Sequence, residues 1–348
     1  MSGKPHGSAT GRGATGARAA RNTTSRGPAY HHVAITGAAG AIGSALARAM
    51  RRAWPTCELA LIDREREPLE RLASELGGTN ASEARANASE PACANASEAR
   101  ANASKLAGAN ASKLAGANAS KLAGASASKL AGPNGSVGSE VGNATVHVAD
   151  LRDLDALPAL VAAIEQAGPL DGLVNCAGVM KVQHVSTWNW AEARDLLTID
   201  LLAPLRLQDL VVRGMRDRGH GVIVNIASMA GRVPLRGAAY YGASKAGLAM
   251  ASEIARADLA PHGVRVVTVY PGPVKSALEA GARADYGGGG LFGRFAPTGN
   301  PDELARRIMV AIAADQPRVI YPRLYQAGWA ATNLASWFAL SYGPPPVA

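Results

Sequence analysis

From His32 onward, short apolar runs alternate with longer stretches in which apolar residues recur every three or four positions. Residues 32–36, 58–62, 144–149, 172–175, 221–226, 264–270 and 318–321 read as strands: they are short, rich in Val, Ile, Ala and Leu, and bounded by turn residues. Residues 44–52, 67–76, 154–166, 190–216, 241–260 and 301–314 have the helical period. Strands apolar on both sides belong to a sheet buried on both faces, and strand–helix alternation makes that sheet parallel. The pattern predicts an α/β fold, a doubly wound seven-stranded parallel sheet in one domain.

The alternation is absent from three segments. Residues 1–29 are Gly, Ala, Ser, Thr and Arg without a hydrophobic period and read as a disordered arm. Residues 79–143 are low in complexity, with Asn-Ala-Ser units and then Ser-Lys-Leu-Ala-Gly repeated every eight residues at Lys105, Lys113, Lys121 and Lys129. One Leu per unit buries too little to offset an ordering entropy of roughly 1–2 kcal/mol per residue, so this segment reads as a mostly disordered insertion. Residues 323–348 gather Tyr325, Trp329, Trp337, Phe338 and Tyr342 in a chain that is only 5% aromatic. The folded domain then occupies residues 30–322. Strands of a parallel sheet all point one way, so the arm and the insertion, each entering a strand at its amino end, hang from the face opposite the ligand end.

Charge changes this picture little. The chain carries +9, of which the arm supplies +5 and the insertion +2, so the basic balance belongs to the appendages rather than the domain. A basic arm can touch anionic surfaces by counter-ion release, but a solvated tail is the simpler reading, and no specific nucleic-acid partner is expected. Cys57, Cys93 and Cys176 have no metal or disulfide spacing. With no apolar run long enough to span a bilayer and no leader-like start, the expected location is the cytoplasm.

Two constellations carry chemistry. Residues 36–43 read Thr-Gly-Ala-Ala-Gly-Ala-Ile-Gly, a strand passing through Gly37, Gly40, Ala41, Ile42 and Gly43 into a helix. Such glycines let a pyrophosphate approach the helix amino terminus, where free N–H groups favour anions. Asp63 ends the second strand 20 residues after the last of them, placed to accept hydrogen bonds from an adenosine ribose and to repel a 2′-phosphate. The pair favours NAD, while Arg64 leaves room for NADP. The second constellation is Ser228, Tyr241 and Lys245. Ser228 follows a buried strand at its carboxyl end, and Tyr241 and Lys245 lie four apart on one face of a helix start. A phenol with a pKa near 10 is a poor base at neutral pH, and an adjacent ammonium lowers it. Tyr241 could then exchange a proton with a substrate hydroxyl or carbonyl while Ser228 orients that oxygen.

With these motifs the chain resembles the short-chain dehydrogenase/reductase family, in its single-domain Rossmann-type branch, outside the arm, insertion and tail. The resemblance further implies adenine and nicotinamide contacts at Asp150, Leu151, Asn175, Ala177, Gly178, Pro271, Gly272 and Val274. It implies Tyr241 as acid/base, Lys245 as the group that lowers its pKa and holds the nicotinamide ribose, and Ser228 as the carbonyl-positioning hydroxyl. It also implies a dimer or tetramer built through long central helices. Two departures stand out. Ala41 replaces a usual glycine, giving the Gly37, Gly40, Gly43 spacing of a longer, epimerase-like branch, and Asp200 stands where the family has a catalytic Asn. Asp cannot donate hydrogen bonds as Asn does, and if close it raises the pKa of Lys245.

The activity expected is hydride transfer between NAD or NADP and a small apolar secondary alcohol or ketone, with no metal. An epimerase that retains NAD and a non-catalytic dinucleotide-binding protein are the alternatives. The loop at 277–296, with glycines at 287–290 and then Leu291, Phe292 and Phe295, reads as a substrate lid. Trp329 and Trp337, eight apart, read as one face of a C-terminal helix that packs on the body or a neighbouring subunit. A lid and a membrane-surface anchor are its other readings.

Overall fold

The computed structural model describes residues 30–78, 140–141, 143–286, 298–343 and 346. The arm, most of the insertion and the 287–297 part of the expected lid lie outside the described residues. The strands are β1 (His32–Thr36), β2 (Glu58–Asp63), β3 (Glu140–Val141), β4 (Ala144–Val148), β5 (Gly172–Asn175), β6 (Gly221–Ile226), β7 (Val264–Pro271) and β8 (Arg318–Tyr321). They form one sheet in the order β3-β4-β2-β1-β5-β6-β7-β8. All seven strands expected from the sequence pair in parallel. The addition is β3, two residues at the end of the segment expected to be mostly disordered, paired antiparallel on the edge beside β4. Its physical source is the free edge of β4, whose backbone groups take up a partner from the returning chain.

Helices α1 (Ala41–Ala53), α2 (Arg66–Gly78), α3 (Leu157–Ile164), α4 (Trp190–Leu197), α5 (Ala203–Arg218), α6 (Ala239–Leu259), α7 (Ala277–Asp285) and α8 (Pro301–Ala313) connect the strands. Alternate strand residues separate into two cores. Val33, Ile35, Leu59, Leu61, Val224 and Val267 pack under α1, α2 and α8. Ala34, Ala60, Ile62, Leu173, Ile223 and Val266 pack under α3 and α5. Strand order reverses on either side of β1, so the crevice between the carboxyl ends of β1 and β5 is where such a sheet takes a ligand. The helix expected at 190–216 is α4 and α5 joined by a π-helical turn, Thr198–Leu202. That turn carries Asp200 into the interior.

His147 on β4 is buried, with Nε2 3.1 Å from the Thr145 hydroxyl. Burial, reinforced by the proximity of His32, holds its pKa below the ordinary imidazole value. An unfolded imidazole takes its proton near pH 6.5, and folded His147 takes its proton only at lower pH. The unfolded chain therefore binds more protons as the pH falls below that value, and stability falls with it. The melting temperature is expected to drop between about pH 7 and pH 5.5, and His147→Leu to flatten part of that drop. Identical slopes in the two proteins would assign the acid sensitivity elsewhere.

Candidate active site

The glycine turn is built by close backbone approach. Gly37 has φ +65°, and a Cβ there would lie 2.6 Å from Ala177 Cα. A Cβ on Gly43 would lie 2.1 Å from the Gly37 carbonyl oxygen. Thr36 locks the adjoining loop, its Oγ1 accepting from the backbone N–H groups of Cys176 (3.1 Å) and Ala177 (3.2 Å). Helix α1 begins after Gly40 with no side-chain cap and no acidic residue in its first turn, which leaves the N–H groups at Ala41 and Ile42 without a side-chain acceptor. Asp63 accepts from Ala39 N at 3.0 Å and from Arg64 N at 2.7 Å. Each carboxylate oxygen keeps a further lone pair, while the Arg64 side chain points to solvent beside Glu65 at 3.6 Å. These features fit a dinucleotide: free N–H groups for a pyrophosphate and a carboxylate for a ribose diol.

Not every residue carried over by resemblance offers its side chain to this crevice. The Asn175 amide donates to Asn225 Oδ1 (2.8 Å) and to the Pro204 carbonyl (3.3 Å), inside the core. Asn225 in turn donates to Ser252 Oγ at 2.8 Å. With both N–H bonds spent between β5, β6 and α5, the Asn175 side chain braces the sheet, and its amide N–H groups are not available to a cofactor. Leu151 and Val274 are core residues by their side chains. Asp150 is held by Arg152, whose Nε lies 3.0 and 2.9 Å from its two oxygens, and this pairing keeps the carboxyl below its ordinary pKa. Arg152 went unnoticed in the sequence, where an arginine two residues after an aspartate carries no signal.

The second cluster assembles beside the first. Ser228 ends the turn after β6, its Oγ accepting from Ala230 N at 3.1 Å and lying 3.5 Å from the Pro271 carbonyl. Tyr241 and Lys245 project from the first turns of α6, both buried. Lys245 Nζ donates to the Ile226 carbonyl at 3.2 Å and stands 5.8 Å from the centre of the Tyr241 ring. Asp200 Oδ2 lies 3.5 Å from the same ammonium, and Asp200 Oδ1 accepts from Val179 N at 2.8 Å. Gly178 roofs the pair: a Cβ there would lie 3.1 Å from Lys245 Nζ and 3.3 Å from Asp200 Oδ1. Burial alone would depress the Lys245 pKa; the Asp200 carboxylate and the Tyr241 phenol outweigh it and hold the ammonium above its ordinary value. Burial also pushes the Tyr241 phenol up, opposed by Lys245 and by a hydrogen bond with Ser228, and assisted by Asp200. Cys176, beside Lys245, is pushed by burial to about 12, too high for a thiolate nucleophile at neutral pH.

The model of the short chain dehydrogenase family matches residues 101–287, a span that holds Ser228, Tyr241, Lys245 and Asp200 and follows the glycine turn. The chain belongs to the short-chain dehydrogenase family. It is 37% identical over 134 residues to the ketoacyl reductase HetN of Nostoc sp., covering 38% of this chain and 47% of that protein. It is 36% identical over 155 residues to trans-4-hydroxycyclohexanecarboxylate dehydrogenase of Sinomonas cyclohexanicum, covering 44% of this chain and 59% of that protein. The chain thus spans about half the length of these relatives. A short-chain dehydrogenase from Sphingobium yanoikuyae, solved in complex with NADPH, superimposes with a TM-score of 0.60 at 22% identity over 91% of this chain and 98% of that one. The short-chain dehydrogenase from Streptomyces avermitilis gives a TM-score of 0.59 at 21% identity, over 90% and 98%. At this level of identity the family fold is what the two structures share with the chain.

The tail splits in a way its spacing did not reveal. Helix α9 (Tyr325–Ala330) and helix α10 (Thr332–Tyr342) are separate, so Trp329 and Trp337 do not share one helix face. Trp329 docks on the body, edge to face with Tyr270 at 4.5 Å and under the Arg232 guanidinium at 4.4 Å. Tyr325 covers Gly272, where a Cβ would lie 2.7 Å from its ring. The tail therefore lies at the ligand end of the sheet, next to the Pro271-Gly272 turn.

Proposed function

We propose that the protein is an NAD(P)-dependent oxidoreductase that interconverts a secondary alcohol and a ketone. The observation that carries this reading is the convergence of Ser228, Tyr241 and Lys245, from two different elements, beside an uncapped helix start with a free-lone-pair carboxylate. The bound nicotinamide supplies the hydride acceptor or donor. The chain does the rest. The bond from Ala230 N fixes the Ser228 oxygen, while the long contact to Pro271 leaves its hydrogen free to turn toward a substrate oxygen. Tyr241 O–H gives its proton to the carbonyl oxygen in reduction and takes it back in oxidation. Lys245 stabilises the phenolate that reduction leaves behind, and Ile226 and Asp200 hold the ammonium in place. Because burial raises the phenol, Tyr241 is protonated at neutral pH, which suits reduction, and oxidation should accelerate in alkali.

Asp63 supports a preference for NAD over NADP, and the two relatives named for ketoacyl and cyclohexane substrates support a small apolar or cyclic ketone. Exposed Met250 and Ile254 on α6 and Leu202 on the π turn support assembly into a homodimer or homotetramer through this region. Fluorescence titration with NADH and NADPH tests the reading. Tight NADH binding is expected, weakened about tenfold or more in Asp63→Ala by loss of charge-assisted hydrogen bonds. Binding of neither nucleotide would overturn the oxidoreductase assignment.

A further inference from the structure

Helix α10 is built inside out. Its less exposed side, toward α9 and the body, carries Thr332, Ala335, Ser336 and Ala339. Ala335 lies opposite Gly328 of α9, whose Cβ would be 3.9 Å away. The large apolar residues face the other way: Leu334 is 65% exposed and Trp337 56%, with Phe338, Leu340 and Tyr342 also exposed. Trp337, Phe338 and Tyr342 gather on that surface, Tyr342 lying 5.7 Å from Trp337 and 5.1 Å from Phe338 between ring centres. An ordinary surface helix turns its apolar stripe to the core and its charges to water. This one has no charged residue at all.

We propose that α10 docks this chain in the headgroup layer of an anionic lipid bilayer. Three observations select that occupant. The exposed set is aromatic and aliphatic, and Trp and Tyr are the side chains that place an apolar ring and a polar tip at such an interface. Residues 316–348 carry no acid; of their two arginines, Arg318 is paired with Glu253 at 2.6 Å and Arg323 is left as positive charge. Arg236, in the loop between Ser228 and Tyr241, donates to the Gly343 carbonyl at 3.3 Å, and exposed Leu235 adjoins it. Among the described residues no carboxylate lies within ion-pairing distance of Arg236 or Arg323. Finally, the geometry allows it: no helix among the described residues is long and apolar enough to cross a membrane, and α10 is an eleven-residue helix whose largest apolar side chains are on its exposed side, so contact would be with the headgroup layer alone. Since Gly343 touches the loop that separates Ser228 from Tyr241, docking turns the mouth of the candidate site toward the lipid.

Co-sedimentation of the full chain with vesicles tests this, and it does not depend on the oxidoreductase reading. Vesicles of phosphatidylcholine with phosphatidylglycerol are expected to carry the protein down, and phosphatidylcholine alone to carry less. The variant Leu334→Ser, Trp337→Ser, Leu340→Ser should reduce the partition coefficient roughly a hundredfold from lost apolar burial, and it should keep its melting temperature because all three side chains are more than half exposed. Trp337→Phe should retain sedimentation and lose the blue shift of tryptophan emission on binding. No sedimentation with either vesicle would overturn the proposal. So would sedimentation undiminished in the triple variant, which would assign the binding to the basic arm. A native mass that falls in the triple variant would assign the face to a second copy of the chain and overturn it equally.

Discussion

Replacing Tyr241 with Phe is expected to lower kcat for ketone reduction about 10²–10⁴-fold, the usual worth of a positioned general acid, while NADH titration still reports binding. The ring itself is structural: it packs with Leu196, Ala230 and Ala238, and Phe keeps that packing. What the substitution removes is the one O–H that is both beside the Ser228 hydroxyl and within the field of Lys245. Without it, the developing alkoxide would have to draw its proton from water in a buried site. Steady-state rates with a small cyclic ketone provide the measurement. A variant that kept most of its kcat would remove Tyr241 from the chemistry and leave the cluster a structural one.

Asp200→Asn is expected to move the acidic limb of the oxidation pH–rate profile downward by about one unit or more, the scale of effect of a neighbouring buried charge. The groups facing the Tyr241 phenol are Lys245, Asp200 and Ser228, with Cys176 facing Lys245 from the adjoining loop. Burial raises the Asp200 carboxyl too, against the pull of Lys245; where it is ionised it offsets the ammonium, and the phenol is held up by burial and by that carboxylate. Asn leaves the ammonium unopposed, so the phenol releases its proton at lower pH; the apparent value belongs to the coupled cluster rather than to Tyr241 alone. Asn retains an oxygen for Val179 N and should preserve the turn. A shift in kcat without a shift in the profile would make Asp200 a packing residue. The resemblance alone, with Asn at this position, offered no means of telling which: the answer lies in a 3.5 Å separation created by the π turn.

The sequence by itself determined the layered fold and the identity of the chemical groups. Seven apolar runs could only be strands buried on both faces, and the stretches between them had one apolar stripe each, so the parallel sheet and its helical cover were legible from period alone. The glycines at 37 and 43 were legible as a turn motif between strand and helix, and the structure supplies the reason: φ is positive at Gly37, and a Cβ at either position would meet backbone less than 3 Å away. Tertiary structure decided matters that depend on where a side chain points or on what waits at an edge. The strand Glu140–Val141 is too short to carry a pattern and exists because β4 offers unpaired backbone groups. The break between α9 and α10 falls at Ala331, the residue most at ease in a helix, so nothing local marks it; docking of Trp329 against Tyr270 sets the direction of the first piece and frees the second. Asn175 could have faced the nucleotide or the core, since a residue at a strand end has both within reach, and only the partner at Asn225 chose between them. Periodicity reports which faces are buried, and it is silent on what each face meets.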